Sequence, residues 1–318
     1  MKRYCEQYPD TPTRTLANII YRDNAESYPT WEVCRSAVRY YRGEAGDKNR
    51  RKSADSRAET TKELRLAIPK SDAEPVAPFV FDTPGKGVIC GDIHLPYHDE
   101  TALSAALEHA IAKGYTDWLI LNGDILDAYM LSRFVRDPKK RDFAGELEVL
   151  KAFLRECRSV WKRVLYKAGN HEQRYWTYMR VKAPELCGIQ ALEFEELAGL
   201  AELQVDYVAP NQVIYASHLT ILHGHEYGGS LFSPVNPARG AFIRGHACMV
   251  TGHLHRGSHH PEPDVRGRVM SCWSHGALCD LHPEYAPLNK WDHSFLLMDW
   301  DGDWFEIQLK KIINGRVT

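Results

Sequence analysis

Val88-Ile89-Cys90-Gly91-Asp92-Ile93-His94 is the stretch on which the fold turns. A short apolar run predicts a strand, and Gly91 then ends it and delivers an Asp-x-His pair. The same order of events returns twice. Trp118–Leu121 runs into Asn122-Gly123-Asp124, and Val164–Lys167 runs into Ala168-Gly169-Asn170-His171. Between these strands, Glu100–Lys113 places Leu103, Ala106, Leu107 and Ala110 on one face. Phe143–Arg158 does the same with Leu147, Leu150, Phe153 and Leu154. Both spacings predict helices. Strands alternating with helices predict a layered α/β architecture, in which ligand sites lie at the carboxyl ends of strands.

The second half reads as richer in strands. Val213–Ala216 and Leu219–Leu222 are expected as neighbours, the latter ending at His223-Gly224-His225. Met249–Thr251 leads into Gly252-His253-Leu254-His255. Arg268–Trp273 and Phe295–Trp300 are further strands, and Asp301-Gly302 is a hairpin turn into Trp304–Leu309. Tyr175–Leu203 is read as a helical stretch that roofs a pocket, forms a dimer surface or packs in the core. Tyr227–Ser230 and Pro234–Gly240 form a Gly/Pro-rich loop suited to shaping access. No repeat of fixed period occurs.

Composition narrows the function classes. The chain has 318 residues, 44% apolar and 26% charged, which excludes whole-chain disorder. Forty basic against 42 acidic residues give a net charge of -2, so no global positive field favours nucleic acid. No stretch approaches a membrane span, and the opening Met1-Lys2-Arg3-Tyr4-Cys5-Glu6 leads into no apolar run, so a cytoplasmic protein without membrane contact is expected. Eight scattered cysteines with no Cys-x-x-Cys pair read as free thiols. None sits in the Asp/His clusters, so a covalent cysteine-phosphate route has no support. The absence of a Gly-x-x-x-x-Gly-Lys-Ser/Thr loop counts against a nucleotide-driven ATPase.

Three regions are expected: a small helical region at 1–43, a linker at 44–80, and the main domain at 81–318. In the first, Thr13–Asp23 carries Leu16, Ala17, Ile19 and Ile20. A second helix, capped by Thr30, carries Trp31, Cys34, Val38 and Tyr41. Two short helices are a thin core, so a third helix or docking is needed. Arg35, Arg39 and Arg42 share a face, and Lys48, Arg50, Arg51 and Lys52 follow, ahead of a polar helix at 54–67. The spacing resembles a helix-turn-helix, so a nucleic-acid contact stands beside the plainer reading of a docked hairpin and solvated linker. A homodimer is the default oligomer.

Five clusters carry the chemistry: Asp92-Ile93-His94, Gly123-Asp124, Gly169-Asn170-His171-Glu172, His223-Gly224-His225 and Gly252-His253-Leu254-His255. On an extended segment, residues two apart share a face, so Asp92 would point with His94 and His253 with His255. Carboxylates, imidazoles and an amide oxygen suit Mn²⁺, Fe²⁺ or Zn²⁺ better than Ca²⁺. The other histidines, among them His98, His218, His246, His259, His260, His275 and His282, read as structural or surface residues.

Over roughly residues 85–310, this set resembles the calcineurin-like metallophosphoesterase superfamily, whose pattern is Asp-x-His, Gly-Asp, Gly-Asn-His-Glu/Asp, His-Gly and Gly-His-x-His. The resemblance implies an α/β fold, a four-layer β-sandwich flanked by helices. It implies two divalent ions at the strand ends, Mn²⁺ first, with Fe, Zn, Ni or Mg as alternatives. Asp92, His94, Asp124 and His255 would hold metal one. Asp124, Asn170, His223 and His253 would hold metal two, with Asp124 bridging. His171 matches the family's catalytic histidine. Asp127 would orient a ligand, Glu172 would orient His171 or cap a helix, and His225 would touch substrate or orient His223. Arg174 and Arg256 would each hold a phosphate oxygen or form a surface salt bridge. The implied activity is hydrolysis of a phosphate ester by in-line attack of a metal-bridging hydroxide. A phosphodiester is favoured over a phosphomonoester or a nucleic-acid backbone. The segments Arg39–Gly43, Arg174–Leu186 and Gly276–Asp280 look like those of phage- and prophage-encoded members.

Overall fold

The computed structural model describes residues 1–43, 69–133, 142–228, 235–284 and 286–318. Lys48, Arg50, Arg51, Lys52, the polar helix expected at 54–67, and Gly229, Ser230 and Pro234 of the access loop lie outside the described residues. The chain divides into two units, Met1–Glu74 and Pro75–Thr318.

The first unit contains α1 (Lys2–Gln7), α2 (Thr13–Asp23) and α3 (Trp31–Tyr41). Leu16, Ala17, Ile20, Cys34 and Val38 are buried together, and Met1, Tyr4 and Cys5 of the first turns pack against them. The third helix that the thin hairpin required is therefore α1. Thr30 caps α3 by accepting from the Val33 amide at 3.3 Å. Tyr41 departs from the expected buried stripe. It lies in the last turn of α3, 51% exposed, edge-on to Tyr40. Arg42, the residue just after α3, donates to the carbonyls of Thr11 and Tyr8 and so fastens the end of α3 to the α1–α2 connection. Arg35 lies over the Trp31 ring at 5.6 Å.

The first strand of the second unit, β1 (Phe79–Val80), lies within the stretch read as linker and pairs with β6 (Ile214–Ala216). Its larger sheet runs β13 (Arg316–Val317), β12 (Phe305–Ile313), β11 (His293–Trp300), β2 (Gly85–Cys90), β3 (Trp118–Asn122), β4 (Arg163–Lys167), β5 (Asp206–Val208). Strands β2 to β5 are parallel, so their carboxyl ends share one edge. The smaller sheet runs β1, β6, β7 (Leu219–Ile221), β8 (Cys248–Thr251), β10 (Val269–Ser274), β9 (Ser258–Pro263).

Side-chain alternation explains the layering. Along β3, Leu119 and Leu121 face α4 (Glu100–Ala112) and α5 (Phe143–Val160), whereas Trp118 and Ile120 face the other sheet. In β8, Val250 joins the core between the sheets and Met249 packs with α8 (Pro237–Gly245). Helix, sheet, sheet and helix thus form four layers.

Tyr175–Leu203 is not one helix. It breaks into α6 (Gln173–Lys182), turns at 184–186 and 190–192, and the single turn α7 (Phe194–Leu197). Pro184 opens the first turn, and Gly188 has a φ of 88°, a conformation that ends helices. Among the described residues, no helix is long and apolar enough to cross a membrane.

Candidate metal centre

Every cluster follows a strand, and the backbone turns sharply there. Asp92, His94, Asp124, His253 and His255 all have φ between 51° and 67°. This left-handed region is unfavourable for residues with a Cβ, and such strain collects at functional sites. The pairs at 92/94 and 253/255 do not lie on extended segments as the two-residue spacing suggested. They converge because each member adopts the left-handed conformation. Gly169 has no side chain for a reason: a Cβ there would lie 2.3 Å from Asp124 Oδ1.

Two buried carboxylates organise the donors. Asp92 Oδ2 accepts from the His253 amide at 2.9 Å, and Asp124 Oδ1 accepts from the His171 amide at 2.9 Å. One oxygen of each is thereby anchored and the other is left for the centre. Asp92 Oδ1 lies 3.1 Å from His255 Nε2, and Asp124 Oδ2 lies 3.3 Å from His223 Nε2. His94 Nε2 and His255 Nε2 face each other at 3.3 Å. His223 Nδ1 donates to the Asn122 carbonyl at 2.7 Å, which directs Nε2 inward.

Donor atoms converge within 4.8 Å in the groups Asp92, His94, Asp124 and Asp124, His223, His253. Asp124 belongs to both. Asp92 Oδ1, Asn170 Oδ1 and His223 Nε2 are buried and have no hydrogen-bond partner. Unpaired buried polar atoms are costly, and Asp92 Oδ1 and His223 Nε2, 3.9 Å apart, fit a shared cation environment.

The charges agree. Burial works against ionised Asp92, Asp124 and Asp127, yet the imidazoles around them hold all three well below the usual carboxylate range. Burial also works against a protonated His223, but Asp124 and Asp92 push it up to about 10. Carboxylates held ionised at this depth are the donors a divalent cation requires.

Asp127 carries two imidazoles. Its Oδ1 lies 2.9 Å from His94 Nδ1 and 3.0 Å from His171 Nδ1. Arg174 Nη1 donates to the Asp127 carbonyl at 2.8 Å, while Nη2 lies 2.8 Å from His171 Nε2. A guanidinium only donates, so His171 Nε2 accepts and the His171 proton sits on Nδ1. Glu172 neither orients the His171 ring nor caps α6. Its buried carboxylate accepts from the amides of Asp124, Ile125, Leu126 and Gly169 and from the Tyr166 hydroxyl at 2.7–3.2 Å. It therefore ties the turn after β3 to the turn after β4.

His225 is near the centre, its ring 5.4 Å from that of His223, and burial pushes it down to about 4. Neither of its nitrogens has a hydrogen bond. The Arg256 side chain has no hydrogen-bond or ion-pair partner among the described residues.

Several residues escaped the sequence reading. Buried Lys167 pairs with Glu226 at 2.8 Å, and Glu226 also accepts from the His223 and Gly224 amides at 3.1 and 2.6 Å, fixing the turn that presents His223. Cys279, outside the five sequence clusters, lies with His94 and His255 in a further group of converging donors. Only tertiary structure joins these partners; the sequence signal was no more than their place at strand ends.

No curated protein matches the chain. Among solved structures it is similar to Vps29 of Entamoeba histolytica in complex with Zn²⁺, at 12% identity and TM-score 0.38, over 73% of this chain and 96% of that one. It is also similar to vacuolar protein sorting 29 of Cryptosporidium parvum, at 16% identity and TM-score 0.40, over 74% and 94%. The model of the calcineurin-like phosphoesterase family matches residues 86–257, more than half of the sequence and all five clusters up to His255. With that match spanning the strand ends that gather these carboxylates and imidazoles, the chain belongs to the calcineurin-like phosphoesterase family.

Proposed function

We propose that the chain is a two-metal phosphoesterase that prefers phosphodiesters. The observation that carries this is the position of Asp124, one carboxylate common to two groups of converging donors. Asp92, His94, Asp124 and His255 would hold one cation, and Asp124, Asn170, His223 and His253 the other. Bound together, two divalent ions supply positive charge at the phosphoryl group and activate water at neutral pH.

The chain's own residues do the rest. Asp127 fixes the His171 ring with Nε2 toward Arg174. An arriving phosphoryl oxygen offers Arg174 a better acceptor than neutral imidazole. Once Arg174 turns to that oxygen, the lone pair of His171 Nε2 is free to take up a proton from solvent and pass it to the leaving oxygen. An alkoxide leaving group needs that proton more than a stabilised phenolate does, so the role of His171 is greatest for alkyl esters.

The test is a substrate panel with protein loaded with Mn²⁺, Fe²⁺ or Zn²⁺ in turn: an aryl diester, an aryl monoester, cyclic nucleotides, and single- and double-stranded DNA. Faster turnover of diesters is expected. Hydrolysis of the monoester alone would reverse the preference, and no hydrolysis with any metal would remove the reading.

A further inference from the structure

Cys279 is buried, 4% exposed, and the backbone holds it beside the Asp92–His94 turn. The Leu278 amide donates to the Asp92 carbonyl at 3.0 Å, and the Asp280 amide to the Tyr97 carbonyl at 3.0 Å. The Cys279 carbonyl faces His293 Nε2 at 2.9 Å. The segment carrying the thiol is thus stitched on both sides to the loop that presents Asp92 and His94. Its sulfur lies within 4.8 Å of a ring nitrogen of His94 and one of His255.

A second observation points to the same place. Asp92 Oδ1 is fully buried without a hydrogen bond, 3.1 Å from His255 Nε2. That nitrogen in turn faces His94 Nε2 at 3.3 Å. Two imidazole nitrogens and a carboxylate oxygen converge here, and the sulfur borders this group.

We propose that Cys279 is a sulfur donor to the cation held by Asp92, His94, Asp124 and His255, so that this position selects a thiophilic ion, Zn²⁺ or Fe²⁺, over Mn²⁺ or Mg²⁺. The proposal rests on the two-metal reading above. On binding, the S–H bond gives way to a sulfur–metal bond and the proton leaves to solvent. A thiolate beside nitrogen and oxygen donors softens that position. The other position, with Asp124, Asn170, His223 and His253, has no sulfur. The two ions would then differ in kind, where the donor types in the sequence suggested Mn²⁺ first for both.

Co²⁺ alone, titrated into the full metal-free chain, separates the outcomes. The expected result is a near-ultraviolet sulfur-to-cobalt charge-transfer band with the first equivalent, alongside the visible ligand-field bands. Cys279→Ser should lose the charge-transfer band, keep the ligand-field bands, and bind Zn²⁺ on the order of 10–100-fold more weakly, the scale set by other disturbances of metal surroundings. Its Mn²⁺ affinity should change less. Ligand-field bands without charge transfer in the unaltered chain would overturn the proposal while leaving the two-metal reading intact, and this outcome does not depend on the variant folding. A charge-transfer band that survives in Cys279→Ser would overturn it too, by assigning the sulfur elsewhere. Absence of any cobalt band would overturn both.

Discussion

The two sheets of the second unit contribute different chemistry to one edge. The larger sheet ends in anions and their supports: Asp92 after β2, Asp124 and Asp127 after β3, Asn170, His171 and Glu172 after β4. The smaller sheet ends in bases: His223 after β7, and His253 and His255 after β8. The acidic side is rigidly cross-tied, since Glu172 holds four backbone amides across two of its turns. The basic side is held by contacts reaching over from the other sheet, such as the Asn122 carbonyl on His223 and the Lys167–Glu226 pair under the same turn. The carboxylates thus form a fixed frame, against which the imidazoles are positioned.

Variants can break that contrast. Asp124→Asn removes the frame member common to both donor groups. We expect loss of both metals and of detectable turnover, read by elemental analysis and the diester assay. His223→Ala removes one base from the smaller sheet alone, so metal content should fall to roughly one equivalent per chain rather than none. Loss of both ions would show that the two halves are not separable. His171→Ala leaves the donor groups intact, so metal content should hold while turnover of a poor-leaving-group substrate falls ~10²–10⁴-fold. If metal content drops as well, His171 belongs among the ligands.

The smallest effect sharpens the description of the frame. Glu146 on α5 is buried, with Oε2 unpaired, and burial, aided by Asp127, pushes its carboxyl up to about 7. The folded chain therefore holds this proton more tightly than the unfolded chain. The resulting stabilisation is complete below the ordinary glutamate range and is lost as pH rises through about 7. Glu146→Gln should accordingly raise the thermal midpoint at pH 8 by roughly 2–6 °C and change it little at pH 4. An equal shift at both pH values would show that Glu146 acts by packing instead.

The sequence was most legible where one strand's composition decides its place. Val88–Cys90 and Trp118–Leu121 are apolar runs because both of their faces are covered. Asp206–Val208 went unread because it is short and polar at its start. Ser258–Pro263 went unread because Pro261 and Pro263 argue against a strand, although prolines are tolerated at β9, a sheet edge. At the centre, the donors that follow strands in Gly/Asp/His clusters were readable. Cys279 and the Lys167–Glu226 pair were not, since their partners are remote in sequence and neither forms a local pattern. The convergence of Asp92 with His94 was anticipated from an extended backbone, whereas left-handed residues produce it. Arg42 shows the same limit, as helical spacing placed it on an exposed basic face and the fold spends it on Thr11 and Tyr8.

The central claim is that Asp124 is shared by two cations. Electron paramagnetic resonance of the full chain titrated with Mn²⁺ alone tests it most directly. Two ions bridged by one carboxylate sit about 3.5–4 Å apart. The spectrum at saturation should therefore be that of an exchange-coupled pair and should revert to an isolated ion, or to none, in Asp124→Asn. Uptake of two Mn²⁺ per chain with a spectrum showing only isolated ions would contradict a shared Asp124.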